Sequence, residues 1–322
     1  MAGHFWATAR RTAACEELTL VLQDTTEFVY QRKTAENIGF TKYVNSGRDK
    51  DGRWRQHKLC GVLMHASLAI TLEGLPLGLT AARFWTRAQF KRLAGAQAQG
   101  QPNPRADQDQ RKYALAREHA RFDYKRVNLL PPIGKARRYP PLSLTVIHAT
   151  EVDPPEGRKP IDWKLLTDLP DESTDQVIEK MAWYAMRWKI ELFFKILKSG
   201  CNAEKLKLQT AERLVNLIAI FCILSWRIFW MTMLNRARPN ENPECAPTPA
   251  EIGVIDQIAA RAGRVPPPNP KLSDYLREIA RLGGYLARSH DPPPGNMIIW
   301  RGWSRLMDIQ LGVELAGRLV GN

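Results

Sequence analysis

Cysteine is scarce in this 322-residue sequence. The five residues, Cys15, Cys60, Cys201, Cys222 and Cys245, lie far apart and none belongs to a CxxC pair. That spacing indicates neither a disulfide framework nor a cysteine-rich zinc site. Reduced thiols of this kind suit a cytoplasmic location. Carboxylates are also in deficit, with 33 Asp+Glu against 47 Lys+Arg, a formal charge of +14 and a pI near 9.7. Such an excess points to a polyanionic partner, nucleic acid first. The opening residues 1–14 are mixed and basic, without the apolar core of a signal peptide. Long apolar runs are nearly absent. The exception, Leu214–Leu234, has the length of a membrane span. It carries Asn216 and, near its middle, Arg227, where an unpaired cation is costly in lipid. We expect a buried helix in a globular core, and no membrane partner.

Residues 176–199 contain neither Pro nor Gly, which removes the usual helix breakers and predicts one continuous helix. At about 100° per residue, Tyr184, Arg187, Glu191 and Lys198 fall in a stripe roughly 60° wide. Met186, Phe193, Leu197, Ile190, Trp183 and Phe194 occupy the adjacent arc and would face a core. One carboxylate, two cations and a phenol in a line can hold a divalent cation and contact phosphate oxygens. They can equally form a solvated face with an Arg187–Glu191 pair at i,i+4.

Upstream, Glu17–Gln23 is a short β-rich run that ends on Asp24-Thr25-Thr26. A carboxylate just past a buried strand suits a metal ligand, and also an Asx turn. Residues 45–56 read as loop. Leu59–Leu72, the turn Glu73-Gly74-Leu75-Pro76 and Leu77–Trp85 read as an antiparallel hairpin. Residues 92–121 are irregular. The wider stretch 83–138 holds 14 Lys+Arg against 4 acidic residues and forms the basic centre of the chain. Ser143–Ala149 and Ile161–Thr167 are further strands. After the helix at 176–199 come the buried helix, a Pro- and Asn-rich linker at 239–249, and helices at 250–262, 272–286 and 303–320. Strands first and helices later predict an α/β chain with a helical C-terminal region.

The pattern Tyr184-x2-Arg187-x3-Glu191-x6-Lys198 resembles the YREK signature of bacterial insertion-sequence transposases of the DDE class, the group that includes the transposase of transposon five. Leu20-Val21-Leu22-Gln23-Asp24-Thr25-Thr26, Ile161-Asp162-Trp163-Lys164-Leu165-Leu166-Thr167 and Ala280-Arg281-Leu282-Gly283-Gly284-Tyr285 support the likeness. It covers about residues 16–91 and 122–322. The resemblance implies a ribonuclease-H-like core, a mixed sheet with flanking helices, over residues 1–235, and a helical dimerisation region over 236–322. It implies cut-and-paste transfer of double-stranded DNA, at transposon ends and target, with Mg²⁺ or Mn²⁺. Two such ions roughly 3.5–4 Å apart activate a nucleophile and stabilise the leaving oxygen. Asp24 and Glu191 match catalytic, metal-holding carboxylates, and Tyr184, Arg187 and Lys198 match phosphate-gripping residues. Trp163 sits where a base could stack, or where a core Trp could pack.

Two departures change the expectation. The family's second Asp, in an Asp-Arg-Glu-like motif before the strand at 143, has no counterpart. Asp107, Asp109 and Asp123 have polar or basic surroundings, and Asp168 matches a non-catalytic position. Residues 92–121 read as a junction that replaces part of the core, and Asp24 comes too early for the family's end-recognition region. The expectation is a truncated, internally deleted transposase, cytoplasmic and homodimeric, that does not cleave. The alternative is a non-catalytic DNA-binding or dimerising chain that inhibits a full-length transposase.

Overall fold

An 18-residue strand, β3 (Trp54–Thr71), is the axis of the sheet nearest the N-terminus. Its distal half, Gly61–Thr71, lies between β1 (Thr19–Val29) and β4 (Pro76–Trp85), and its first half pairs β2 (Phe40–Arg48). The computed structural model describes residues 1–48, 50, 52, 54–87, 120–154, 156–157, 160–169, 173–265 and 267–320. The chain divides into two compact units, Met1–Gln99 with Ile190–Asn322, and Gly100–Lys189. The sequence-based boundary at 235/236 falls inside the first unit.

In the first unit, β1 and β3 pair so that Leu22, Asp24, Thr26 and Phe28 share one face with Leu68, Ala66, Met64 and Val62. Most of that face is buried, with Phe28, Val62, Met64, Ala66 and Leu68 fully enclosed. The Cys222 thiol meets the Met64 sulfur at 3.9 Å, so α4 (Ala211–Ala237) covers this face. Trp226 of α4 donates its indole N–H to the Pro76 carbonyl at 2.8 Å. The end of β1 is stapled to residues 203–208. Tyr30 donates its hydroxyl to the Ala203 carbonyl at 3.0 Å, and Arg32 donates to the Leu206 and Leu208 carbonyls.

The N-terminus is helical, which the sequence reading omitted. Helix α1 (Ala2–Ala13) presents His4, Thr8 and Arg11, spaced i, i+4, i+7, to β4. Arg11 donates to the Leu77 carbonyl at 2.6 Å and His4 Nε2 accepts the Leu79 N–H at 3.1 Å. The expected loop at 45–56 is largely strand, because β2 and β3 run together as far as Arg48 opposite Trp54.

Helices α5 (Pro249–Arg261), α6 (Leu272–Leu282) and α7 (Asn296–Val320) form the expected helical C-terminal region. Thr248 and Glu251 close a capping box at the start of α5. Gly283 explains part of the Ala280–Tyr285 motif. A Cβ there would lie 2.1 Å from the Ile298 carbonyl oxygen, so α6 and α7 touch backbone to backbone.

The second unit is a three-stranded antiparallel sheet, β5 (Ala120–Leu129), β6 (Leu142–Glu151) and β7 (Asp162–Thr167), with α2 (Thr174–Ala185) on one face. Ile147, Ala149, Val177 and Met181 form its core, with Phe122, Trp163 and Leu165 packed around them. Ser173 caps α2 by accepting the Gln176 N–H at 3.3 Å. The molecule is thus mixed α/β, and every strand pairing among the described residues is antiparallel. A parallel strand, which a mixed sheet requires, is not among the described residues.

Candidate functional site

Asp24 is the midpoint of β1, not a residue just past its end. The strand runs on to Val29, because Thr25–Val29 pair in register with His65–Gly61. Asp24 lies opposite Ala66 in a row otherwise apolar apart from Thr26, and it is half-buried. A carboxylate in such a row is the informative exception to apolar packing. One of its oxygens accepts the adjacent Thr25 N–H at 2.8 Å.

The helix expected at 176–199 is interrupted. After α2 the N–H groups of Met186, Arg187 and Lys189 bond three residues back, to Trp183, Tyr184 and Met186. These short bonds tighten the backbone before α3 (Trp188–Lys195) begins. The next turn, Ile196–Gly200, is a π-helix that loosens it again. A constant 100° per residue therefore does not carry from Tyr184 to Lys198, and the narrow stripe built on it does not follow. Tyr184 and Arg187 belong to the second unit, whereas Glu191, Lys198 and Asp24 belong to the first.

Within the first unit, Glu191, Lys195 and Lys198 take i, i+4, i+7 positions. Glu191 and Lys198 are half-buried and Lys195 is exposed, while Ile190, Leu192, Phe193, Phe194, Ile196 and Leu197 are buried. Lys198 Nζ stands 5.6 Å from the centre of the Phe28 ring and 3.6 Å from Glu204. Glu204 also accepts the Val29 N–H at 3.3 Å. Lys198 is thereby held against the strand that carries Asp24, on the same face.

In the second unit, Trp163 and Tyr184 meet edge to face, with ring centres 5.5 Å apart and planes at 78°. Trp163 lies on the inner face of β7, half-buried among core side chains. Asp123 lies within β5, in the polar and basic surroundings expected, and pairs with Arg121 at 3.3 Å. Asp168 follows β7 and is exposed. Asp107, Asp109 and most of the junction 92–121 lie outside the described residues.

Metal chemistry needs more donors than these. Among the described residues no three His, Cys, Asp or Glu side chains form a group able to hold a metal ion. Among the described residues, Asp24 and Glu191 supply two carboxylates, with Lys195 one helical turn beyond Glu191. A pair of hard cations calls for several oxygen ligands each, more than these two carboxylates of the described residues supply.

The remaining candidate surface is basic. From Tyr124 to Thr150 the sequence has five Lys+Arg and no carboxylate. This stretch is most of the β5–β6 hairpin, whose ten residue pairs run from Ala120–Glu151 to Leu129–Leu142 and add Arg121, Asp123 and Glu151 at its base. The sequence reading counted these charges without recognising β5. The signal available was Pro-Pro-Ile-Gly at 131–134, a turn pattern between two residue runs able to pair. Compared with models of known protein families, the sequence finds no match.

Proposed function

We propose that this chain is a transposase-like polypeptide of the DDE class that binds double-stranded DNA and self-associates without cutting. The observation that carries this reading is the run Tyr124–Thr150 of the β5–β6 hairpin, with five cations and no carboxylate. Phosphate neutralisation gives affinity without sequence preference. The Tyr184–Arg187–Glu191–Lys198 signature supports a transposase-like ancestry. Lys198 against Phe28, on the strand and the face that carry Asp24, supports reading Asp24 and Lys198 as neighbours in one site. Asp24 lies about 13 Å from Phe28 along the strand, and Glu191 about 10 Å from Lys198 along the helix, spacings that would let the carboxylates approach. Two carboxylates, with no third grouped with them among the described residues, leave Mg²⁺ or Mn²⁺ short of the ligands that fix in-line geometry. Tyr184, Arg187 and Lys198 are then DNA-phosphate contacts rather than parts of a cleaving centre. Trp163, half-buried with Tyr184 edge-on against it, plays no part in this reading.

The test is a labelled transposon-end duplex incubated with the purified chain, with and without Mg²⁺ or Mn²⁺, beside Glu191→Ala. Equal binding in all arms and no nicking are expected. Cleavage above the Glu191→Ala control would overturn the non-cutting reading and direct attention to Asp123 and Asp168 as the third carboxylate. Absence of DNA binding at low salt would overturn the whole proposal.

A further inference from the structure

The tip of the β5–β6 hairpin is built in a way that DNA binding by charge alone does not need. β7 pairs only with Thr145–Thr150 of β6, so the hairpin beyond Arg126 and Thr145 continues as a two-stranded ribbon. Nearly all of residues 128–143 are exposed on both faces of that ribbon. Three pairs, Val127–Leu144 to Leu129–Leu142, make this free ribbon a stem about 10 Å long that carries the loop away from the sheet.

The loop that caps it, residues 130–141, has a defined shape. Lys135 donates its N–H to the Pro132 carbonyl at 2.9 Å, and Gly134 has φ of +79° while Ile133 has no positive φ. That combination is a type II turn with Ile133 and Gly134 as its central residues. One helical turn follows, with Arg138 and Tyr139 both bonding back to the Lys135 carbonyl, at 2.9 and 3.1 Å. Pro131, Pro132, Pro140 and Pro141 restrict the rest of the loop. At its apex Ile133 is completely exposed, at 105% of its reference area, and Leu130 is 77% exposed. Lys135, Arg137 and Arg138 follow directly, and Arg138 lies over the Tyr139 ring at 5.4 Å.

Large apolar side chains held out at the apex of an ordered turn lose free energy to water unless something covers them. The charge around them selects the cover. Three cations and no anion flank the apex, and the arm belongs to a chain with net charge +14. We infer that the hairpin is an architectural arm for duplex DNA. Its cations, Lys135, Arg137 and Arg138 among them, grip phosphates on either side of a minor groove, and Ile133 and Leu130 wedge between base pairs and kink the helix. Apolar wedges between base steps with flanking cations are the physical means by which proteins bend DNA through the minor groove. The inference rests on the DNA-binding reading above and adds deformation of the DNA to it.

The experiment uses the full chain and a duplex of about 30 bp with central TA steps, which unstack most easily, and with a dye at each end. Binding is read by anisotropy and bending by energy transfer between the ends. The wild-type chain is expected to bring the ends together by a kink of roughly 20–90°. Ile133→Ala with Leu130→Ala should bind with similar affinity and leave the duplex straight, and Ile133→Phe should restore the kink. Lys135→Gln with Arg137→Gln and Arg138→Gln should reduce the slope of log affinity against log salt by about 3. These side chains are exposed, so unchanged thermal unfolding verifies that each variant is folded. Tight binding without bending, or bending unaffected by Ile133→Ala with Leu130→Ala, overturns the wedge and leaves DNA binding standing. No binding at all overturns the underlying reading. A parallel arm with vesicles of phosphatidylcholine and phosphatidylserine covers the other chemistry. Vesicle binding lost on Ile133→Ala, with DNA left unbent, would assign the arm to a lipid surface instead.

Discussion

Arg227 shows how one side chain changes the meaning of its surroundings. It sits in α4, a helix long and apolar enough by length and composition to cross a membrane. In the fold its guanidinium reaches Glu251 at 3.0 and 3.3 Å, donates to the Ala246 carbonyl at 3.4 Å, and lies 4.3 Å from the centre of the Trp303 ring. Glu251 is almost fully buried and also accepts the Thr248 N–H at 2.7 Å as part of its capping box. Removing the cation leaves a buried carboxylate without its partner, which is where the cost of breaking such pairs arises. Arg227→Met is therefore expected to lower unfolding free energy by about 3 kcal/mol. Adding Glu251→Gln should recover part of that loss, because the amide carries no charge and still serves the cap. Urea unfolding of the single and double variants gives the answer. Equal loss in both would mean that the two groups are not coupled.

At the scale of elements, α1 depends on a neutral histidine. Burial, and then the nearby Arg11, push His4 down from 6.5 to about 4. The neutral ring is the form that accepts the Leu79 N–H. With the folded value below the unfolded one, the unfolded chain takes up the proton first. This contribution to stability is complete above about pH 6.5 and is lost as pH falls toward about 4. The His4 ring meets Trp226 edge-on at 4.9 Å, so release of α1 has an optical reporter. Indole fluorescence should change between about pH 6 and 4 in the wild-type chain and stay flat in His4→Gln, whose amide oxygen can still accept that N–H. A flat wild-type trace would show that α1 is not held this way.

For the whole molecule, two surfaces have complementary properties. The arm of the second unit is cationic, whereas the end of α7 in the first unit is exposed and apolar at Ile309, Leu311, Val313 and Leu315. Leu311 and Leu315, at i,i+4, share one face of the helix, and burying them against its own copy removes apolar area from water, which is the usual route to a twofold dimer. Leu311→Gln with Leu315→Gln should convert a dimer to a monomer in light scattering while DNA still binds. A wild-type monomer at all concentrations would rule out this use of α7. DNA affinity should fall by orders of magnitude between about 50 and 200 mM salt, since each phosphate contact releases counterions. An affinity insensitive to salt would contradict a charge-driven interface.

Local pattern sufficed where burial is periodic along the chain. The apolar runs of β3, β4 and β6 and the helices α4, α5 and α6 were legible, as was the Glu73–Pro76 turn, because each buries a face that its own sequence marks. Net charge, the free thiols and the Asp24 and Glu191 candidates were legible for the same reason: they are properties of residues. β5 was not. Its apolar alternation, Ala120, Phe122 and Tyr124, is broken at Arg126 before Val127 and Leu129, none of these residues is fully buried, and its strand conformation comes from ten pairings with β6. The interruption at Met186–Arg187 has no Pro or Gly to announce it, so the stripe from Tyr184 to Lys198 could not be verified from spacing. The contact of Lys198 with Phe28, some 170 residues away in sequence, and the exposure of Ile133 at the end of a paired ribbon arise only when distant segments meet. Side-chain chemistry is written residue by residue, but which groups share a face depends on non-local pairing whose cost and reward appear only in the folded chain.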